Sequence, residues 1–441
     1  MDSMDIKNSA ADAAFEEAVK SALALIGKNS VQSAPCAESP FGRGVAQCLA
    51  AVAEDARAHG FTVGEGDGYY VWAEIGQGDL FGILGHVDTV PIGEGWTAEP
   101  LGEIKDGVMY GRGVLDDKGP MILALYAVYS LIAEGRKPKR RIRFIFGGNE
   151  ESGWKCIERY LQKEEIPPEG ISPDADFPVI NCEKGVAHIE LKLKKPADLL
   201  SMRGGDRANV VMPLCKASID GSYPDAAQVR GVTAEEKNGV TELTAIGKAA
   251  HGSTPREGDN AAWKILQWLA LNVGGEYVGL RDMLCDDNGK GLGIDCRDEK
   301  SGALTCNIGI IDTDSEKITL TLDIRHPVSV PRSDIEAKLK TACGAVGAET
   351  VAFHDPLYVP QDDELVRGLL SAYNECTGEH ASPISVGGAT YARALPKAVA
   401  FGPIFPRQAN TIHMPDERAS LTDLRRTFDI YRAAFAALLF E

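Results

Sequence analysis

The chain is short of positive charge. Its 46 lysines and arginines face 64 aspartates and glutamates, a net charge of −18, so neither nucleic acid nor an anionic membrane is an expected partner. Long hydrophobic runs are missing too. The longest apolar stretch, residues 121–133 (MILALYAVYSLIA), is too short to cross a bilayer. The first residues, MDSMDIKNSA, lack a basic region followed by an apolar core, so no secretory signal is expected. Ten cysteines are scattered without a CxxC pair or a regular spacing. Together these point to free thiols in a reducing cytoplasm. No clear repeat, low-complexity tract or long flexible linker interrupts the chain.

What is present is ordinary globular material, 44% hydrophobic and 25% charged over 441 residues, enough for two or three domains. Helical apolar spacing over 11–26 ends near Gly27, and a second helix over 45–59 stops at Gly60. Short strands are expected at 61–63, 70–74, 81–84 and 142–146, with a hairpin turning at Asp106-Gly107 between 103–106 and 108–110. Pro120 suits the first turn of a helix that continues over 121–133. This alternation predicts an α/β domain with a mainly parallel central sheet, whose sites form outside the carboxyl ends of its strands.

From about Val186 the texture becomes α+β. Strand alternation is expected at 188–192, 240–246 and 318–324, and helices at 261–271 and 333–343. Beyond 383, glycine turns and a short strand at 398–401 return, and an amphipathic helix over 421–440 closes the chain. The expected layout is a discontinuous catalytic domain, 1–186 and 383–441, interrupted by an inserted domain, 187–382. An inserted domain needs paired crossings rather than a flexible linker.

The chemistry gathers at loops after predicted strands. In FGILGHVDTVP (81–91), an apolar strand end is broken by Gly85, and His86 and Asp88 follow at alternate positions. Alternate residues of an extended chain face the same way, and imidazole with carboxylate suits a divalent metal. Further candidate ligands are Asp116-Asp117, Glu150-Glu151, Asp174 and His413. Taken singly, each also reads as a solvated turn, a helix start or a satisfied core histidine.

The joint pattern is more specific. GHVDTVP (85–91), GRGVLDDKGP (111–120), GGNEESGW (147–154), SPDADFP (172–178), AHGSTP (250–255) and NTIHMPDE (410–417) together resemble, in order and over nearly the whole chain, the M20 family of metallopeptidases and its PepV-like dipeptidases. The resemblance implies a zinc-exopeptidase-like catalytic domain with an inserted α+β lid. It implies two divalent metals, zinc by default, with manganese or cobalt compatible with the same ligands. One would be held by His86, Asp116 and Asp174, the other by Asp116, Glu151 and His413. Asp116 would bridge, with a cis peptide to Asp117. Asp88 would orient the His86 ring.

By the same resemblance, Glu150 is the general acid/base for a water shared by the metals, and His251 stabilises the oxyanion. Asn209 and Arg325 match lid positions that grip substrate. Arg325 could pair bidentately with a substrate carboxylate, or make an ordinary ion pair. Gly388 and Ala389, in GGATYAR (387–393), match a glycine loop beside the site, where Ala389 is a small departure that bears on substrate preference. A lid of nearly two hundred residues resembles the type in which an internal duplication replaces a partner subunit, so a monomer is expected.

The expected function is a cytoplasmic zinc-dependent dipeptidase acting on short unblocked dipeptides through a metal-bridging hydroxide. The alternative is an N-acyl-amino-acid deacylase or desuccinylase using the same two-metal site. A catalytically silent metal-binding scaffold would need a lost base or ligand, and Glu150 and the five ligand positions are all present.

Overall fold

A computed structural model of the chain describes residues 3–341 and 346–441. It divides into two compact units. The first comprises Met1–Asn181, Val359–Ile384 and Thr390–Glu441; the second comprises Cys182–Tyr358 and Ser385–Ala389.

The first unit is α/β. Six of its strands lie side by side in the order Thr62–Gly66, Tyr70–Ile75, Arg141–Gly147, Leu80–His86, Glu169–Ser172, Ala398–Ala400. The last four run parallel and the first two are antiparallel additions at the edge. The central strand Leu80–His86 is buried at all seven positions, as expected where both faces of a parallel sheet are covered. It runs two residues past the expected end, and this brings His86 into the sheet opposite Gly147.

The Lys118–Ala133 helix is buried almost all round, the mark of a helix inside the core. It packs between Ser3–Ile26 and the terminal helix Leu421–Leu439. The expected hairpin forms, pairing Glu103–Lys105 with Val108–Tyr110.

The second unit is α+β. Eight antiparallel strands form one sheet. Along Gly185–Lys194 the core residues Ala187, Ile189, Leu191 and Leu193 alternate with more exposed ones, so one face of the strand is buried. The Ala261–Asn272 helix covers that core with Ile265, Leu266 and Leu269. The helix expected over 333–343 spans Arg332–Thr341; its last two expected residues lie outside the described ones.

The unit boundaries differ from the expected 187 and 382. Residues 359–382 belong with the first unit, because the Glu364–Thr377 helix lies along Leu421–Leu439. Gly368 leaves room there for Leu438. Residues 182–186 belong with the second unit, where Gly185 and Val186 already pair with His326 and Arg325.

Candidate metal centre and substrate groups

Three neighbouring parallel strands, Arg141–Gly147, Leu80–His86 and Glu169–Ser172, end on the same edge of the sheet. The residues just beyond them therefore meet: His86 and Asp88, Glu150 and Glu151, and Asp174. The core helix starts at Lys118 beside them and brings Asp116 and Asp117. His413 arrives on the loop before Arg418–Ser420, with a left-handed backbone (φ 62°), a conformation that costs a non-glycine residue about 1–3 kcal/mol and clusters at functional sites.

Asp116 is the centre of the group. Its Oδ1 lies 2.9 Å from His86 Nε2 and its Oδ2 lies 2.8 Å from His413 Nε2. His413 Nε2 is also 3.1 Å from Glu151 Oε1, and His86 Nε2 is 3.6 Å from Asp174 Oδ2. Thus each oxygen of one carboxylate faces a different imidazole, one with Asp174 beside it and the other with Glu151. The Asp116–Asp117 peptide is cis.

The residues fit metal ions. His86 Nδ1 faces the backbone carbonyl of Asp88 at 3.0 Å. A carbonyl only accepts, so Nδ1 carries a proton, and Nε2 is the nitrogen turned to the carboxylates, which favour a second proton there when no metal is bound. Buried Nε2 makes no hydrogen bond, although it sits against carboxylate oxygens. Nε2 and these oxygens need positive charge between them, supplied by a bound metal ion or by a second proton on the ring. Charge points the same way: burial, then the neighbouring carboxylates, push Glu150, Glu151, Asp174 and Asp117 up from the usual carboxyl range. Burial also opposes ionisation of Asp116, but His413 and His86 outweigh it and hold this carboxyl low. Burial opposes a charged His413 as well, yet Asp116 and Glu151 raise it to about 10. The pocket demands positive charge, and the adjacent Lys118 does not supply it: its ammonium donates to the carbonyls of Leu25 and Lys28.

Several contacts here are not legible in the sequence. Asp88, expected to orient His86 through its carboxylate, does so more closely through its backbone carbonyl, with Oδ1 at 3.4 Å. The carboxylate instead accepts the backbone N–H groups of Glu150 (2.9 Å) and Glu151 (3.1 Å), tying the two loops together. Asp117 reaches the group too: its Oδ2 accepts the His86 N–H at 3.3 Å, and its Oδ1 is buried without a hydrogen bond. Glu417 accepts from Arg112 (2.6 Å) and from the N–H groups of Gly113 and Leu115 (both 3.0 Å). It thereby staples the His413 loop to the segment leading into Asp116.

The remaining predicted residues lie in the second unit. His251 is exposed, and its Nδ1 accepts the Ser253 N–H at 3.2 Å. A backbone N–H can only donate, so the neutral ring carries its proton on Nε2, which can act as a donor. Burial, then Arg325, lowers its basicity and favours this neutral form. Asn209 adjoins it through its carbonyl, which accepts from Gly252 N–H at 2.7 Å.

Arg325 is buried, and its bidentate partner is Asp323, at 2.8 and 2.9 Å, rather than an open site. Its Nη1 donates to the Gly387 carbonyl at 3.0 Å. Among the described residues, one hydrogen on each terminal nitrogen is left over. Asp323 precedes Arg325 by two on one strand, which puts both on one face; that spacing was the available signal for the pair. Gly388 and Ala389 are partly buried residues of this unit.

The family model described as peptidase family M20/M25/M40 matches residues 82–437, and the chain belongs to that family: it is a metallopeptidase, a metal-dependent hydrolase. The "Putative dipeptidase YtjP" of Bacillus subtilis (strain 168) is 36% identical over 428 residues, covering 90% of this chain and 92% of that protein. Among solved structures, human carnosine dipeptidase 1 aligns with a TM-score of 0.61 at 14% identity, over 99% of this chain and 98% of the other. The aminoacylhistidine dipeptidase of Vibrio alginolyticus aligns with a TM-score of 0.58 at 13% identity, over 95% and 97%. At such identities these two likenesses show the fold. Among the described residues, no helix is long and apolar enough to cross a membrane.

Proposed function

We propose that the chain is a two-metal dipeptidase that cleaves the single peptide bond of short, unblocked dipeptides. The observation that carries this reading is the Asp116 carboxylate, with one oxygen 2.9 Å from His86 Nε2 and the other 2.8 Å from His413 Nε2. His86, Asp116 and Asp174 would hold one ion, and Asp116, Glu151 and His413 the other. Two divalent ions, zinc by the family's habit, would supply Lewis acidity and an acidified water when bound.

The chain's own groups do the rest. Glu150 takes the proton of the attacking water and delivers it to the leaving amine; its raised proton affinity, from burial and the carboxylates around it, suits a group that must hold a proton between two steps. Asp88 fixes the backbone of Glu150 and Glu151. His251 donates from Nε2 to the carbonyl oxygen as it gains charge. Asn209 and the spare hydrogens of Arg325 bind the substrate carboxylate, and the Gly388-Ala389 backbone borders it. The protein acts as a cytoplasmic monomer, a reading supported by its scattered free cysteines and the long inserted unit.

A panel of dipeptides set against N-acetyl and N-succinyl amino acids, run before and after chelation, tests this. The expected result is turnover of dipeptides that chelation abolishes and metal restores. Turnover confined to acylated amino acids would replace the peptidase reading with a deacylase.

A further inference from the structure

Glu150 does not stand alone in its loop. The indole Nε1–H of Trp154 donates to Glu150 Oε1 at 3.0 Å. Trp154 sits four residues on, at the start of the Lys155–Lys163 helix, with a left-handed backbone (φ 61°, ψ 8°). A bulky residue in that conformation is strained and persists only where its surroundings hold it there. Here they do. Trp154 N–H donates to the Asn149 carbonyl at 2.8 Å, and Glu158 N–H returns to the Trp154 carbonyl at 3.0 Å. Asn149 Oδ1 accepts from Lys155 N–H, and its amide donates to Ser152 Oγ at 2.7 Å.

The indole is also backed by a second ring. Tyr391 meets it edge-on at 5.1 Å and meets the His86 ring edge-on at 6.2 Å. The Tyr391 hydroxyl is pinned by the buried Cys156 thiol at 2.6 Å. It lies under Gly147, where a Cβ would strike it. An aromatic column therefore runs from the ligand His86 through Tyr391 to Trp154 and ends in one N–H bond to Glu150.

We propose that Trp154 is a positioning residue for Glu150, a role that rests on Glu150 being the proton carrier. With Oε1 occupied by the indole, the carboxylate cannot rotate freely, and the proton is taken up and released at Oε2. Removing the indole N–H frees the rotor and lowers the fraction of encounters in which Oε2 faces the water or the leaving amine. The consequence is a loss in kcat with little change in substrate binding or metal retention.

Trp154→Phe keeps a ring against Tyr391 and deletes the N–H. The expected result is a fall in kcat of about ten- to a hundredfold, the usual reach of a hydrogen bond to a charged group, with KM and metal content unchanged. In a Glu150→Asp background, whose shorter side chain falls back from the indole, Trp154→Phe should add nothing further. Wild-type kcat in Trp154→Phe, a matching rise in KM, lost metal, or independent multiplication of the two effects would each overturn the proposal. Glu150→Gln separates the two layers: if that variant turns over normally, the role of Glu150 fails and this inference with it, whereas a dead Glu150→Gln beside a fast Trp154→Phe overturns the positioning role alone. Should Trp154→Phe not fold, indole N–H resonances decide. One of the five tryptophan signals should move upfield in Glu150→Ala, and five unmoved signals would contradict the bond.

Discussion

Residue by residue, the two adjacent glutamates differ in what each touches. Glu151 faces His413 at 3.1 Å, whereas the Glu150 carboxylate takes the Trp154 indole and, among the described residues, no hydrogen bond from either imidazole. The backbone of both is set by one carboxylate, Asp88. It follows that Glu150 can lose its charge without emptying the centre. Glu150→Gln should keep its full complement of metal, measured by elemental analysis, and lose at least about a hundredfold in kcat, the usual contribution of a general acid/base. Undiminished turnover, or loss of metal in this variant, would contradict the division of labour.

At the scale of elements, the centre depends on loops held to one another rather than on any one strand. Glu417 is fully buried and paired with Arg112, itself nearly so, and it also satisfies two backbone N–H groups. Removing one partner of such a pair leaves a buried charge unmatched, at a cost of about 3–5 kcal/mol. Glu417→Ala should show that loss in urea unfolding and should weaken metal binding, since the His413 loop loses its staple. A change under about 1 kcal/mol would show that the pair is not what holds the loop.

The elements also show what could be read in advance. The strands ending near His86 and Glu150 announced themselves as apolar runs broken by glycine, and the Lys118–Ala133 helix as a long apolar stretch around a proline. Those signals are local. The staple from Glu417 to Arg112 joins residues 305 apart in the chain, and nothing in the NTIHMPDE segment distinguishes a buried glutamate from a solvated one. Arg325 was legible as a cation on a strand, and its spacing from Asp323 offered the pair; that both are buried is set by the packing of the strand. The boundary near 382 was hidden for a similar reason: residues 359–382 look like any α+β segment until Glu364–Thr377 is seen lying on the terminal helix. Order of motifs carried the candidate site, and packing partners far along the chain carried the rest.

Across the whole molecule, the proposed ligand set comes from residues 86, 116, 151, 174 and 413, which span most of the first unit and meet only in the folded chain. Metal binding and the fold of that unit are therefore coupled. The central claim is that one carboxylate serves two ions at once. The decisive experiment is metal stoichiometry after reconstitution, compared between the wild-type chain and Asp116→Ala. The expected values are two divalent ions per wild-type chain and fewer than one in the variant, because both sites lose a ligand together. One ion per wild-type chain, or a variant that still retains two, would contradict it.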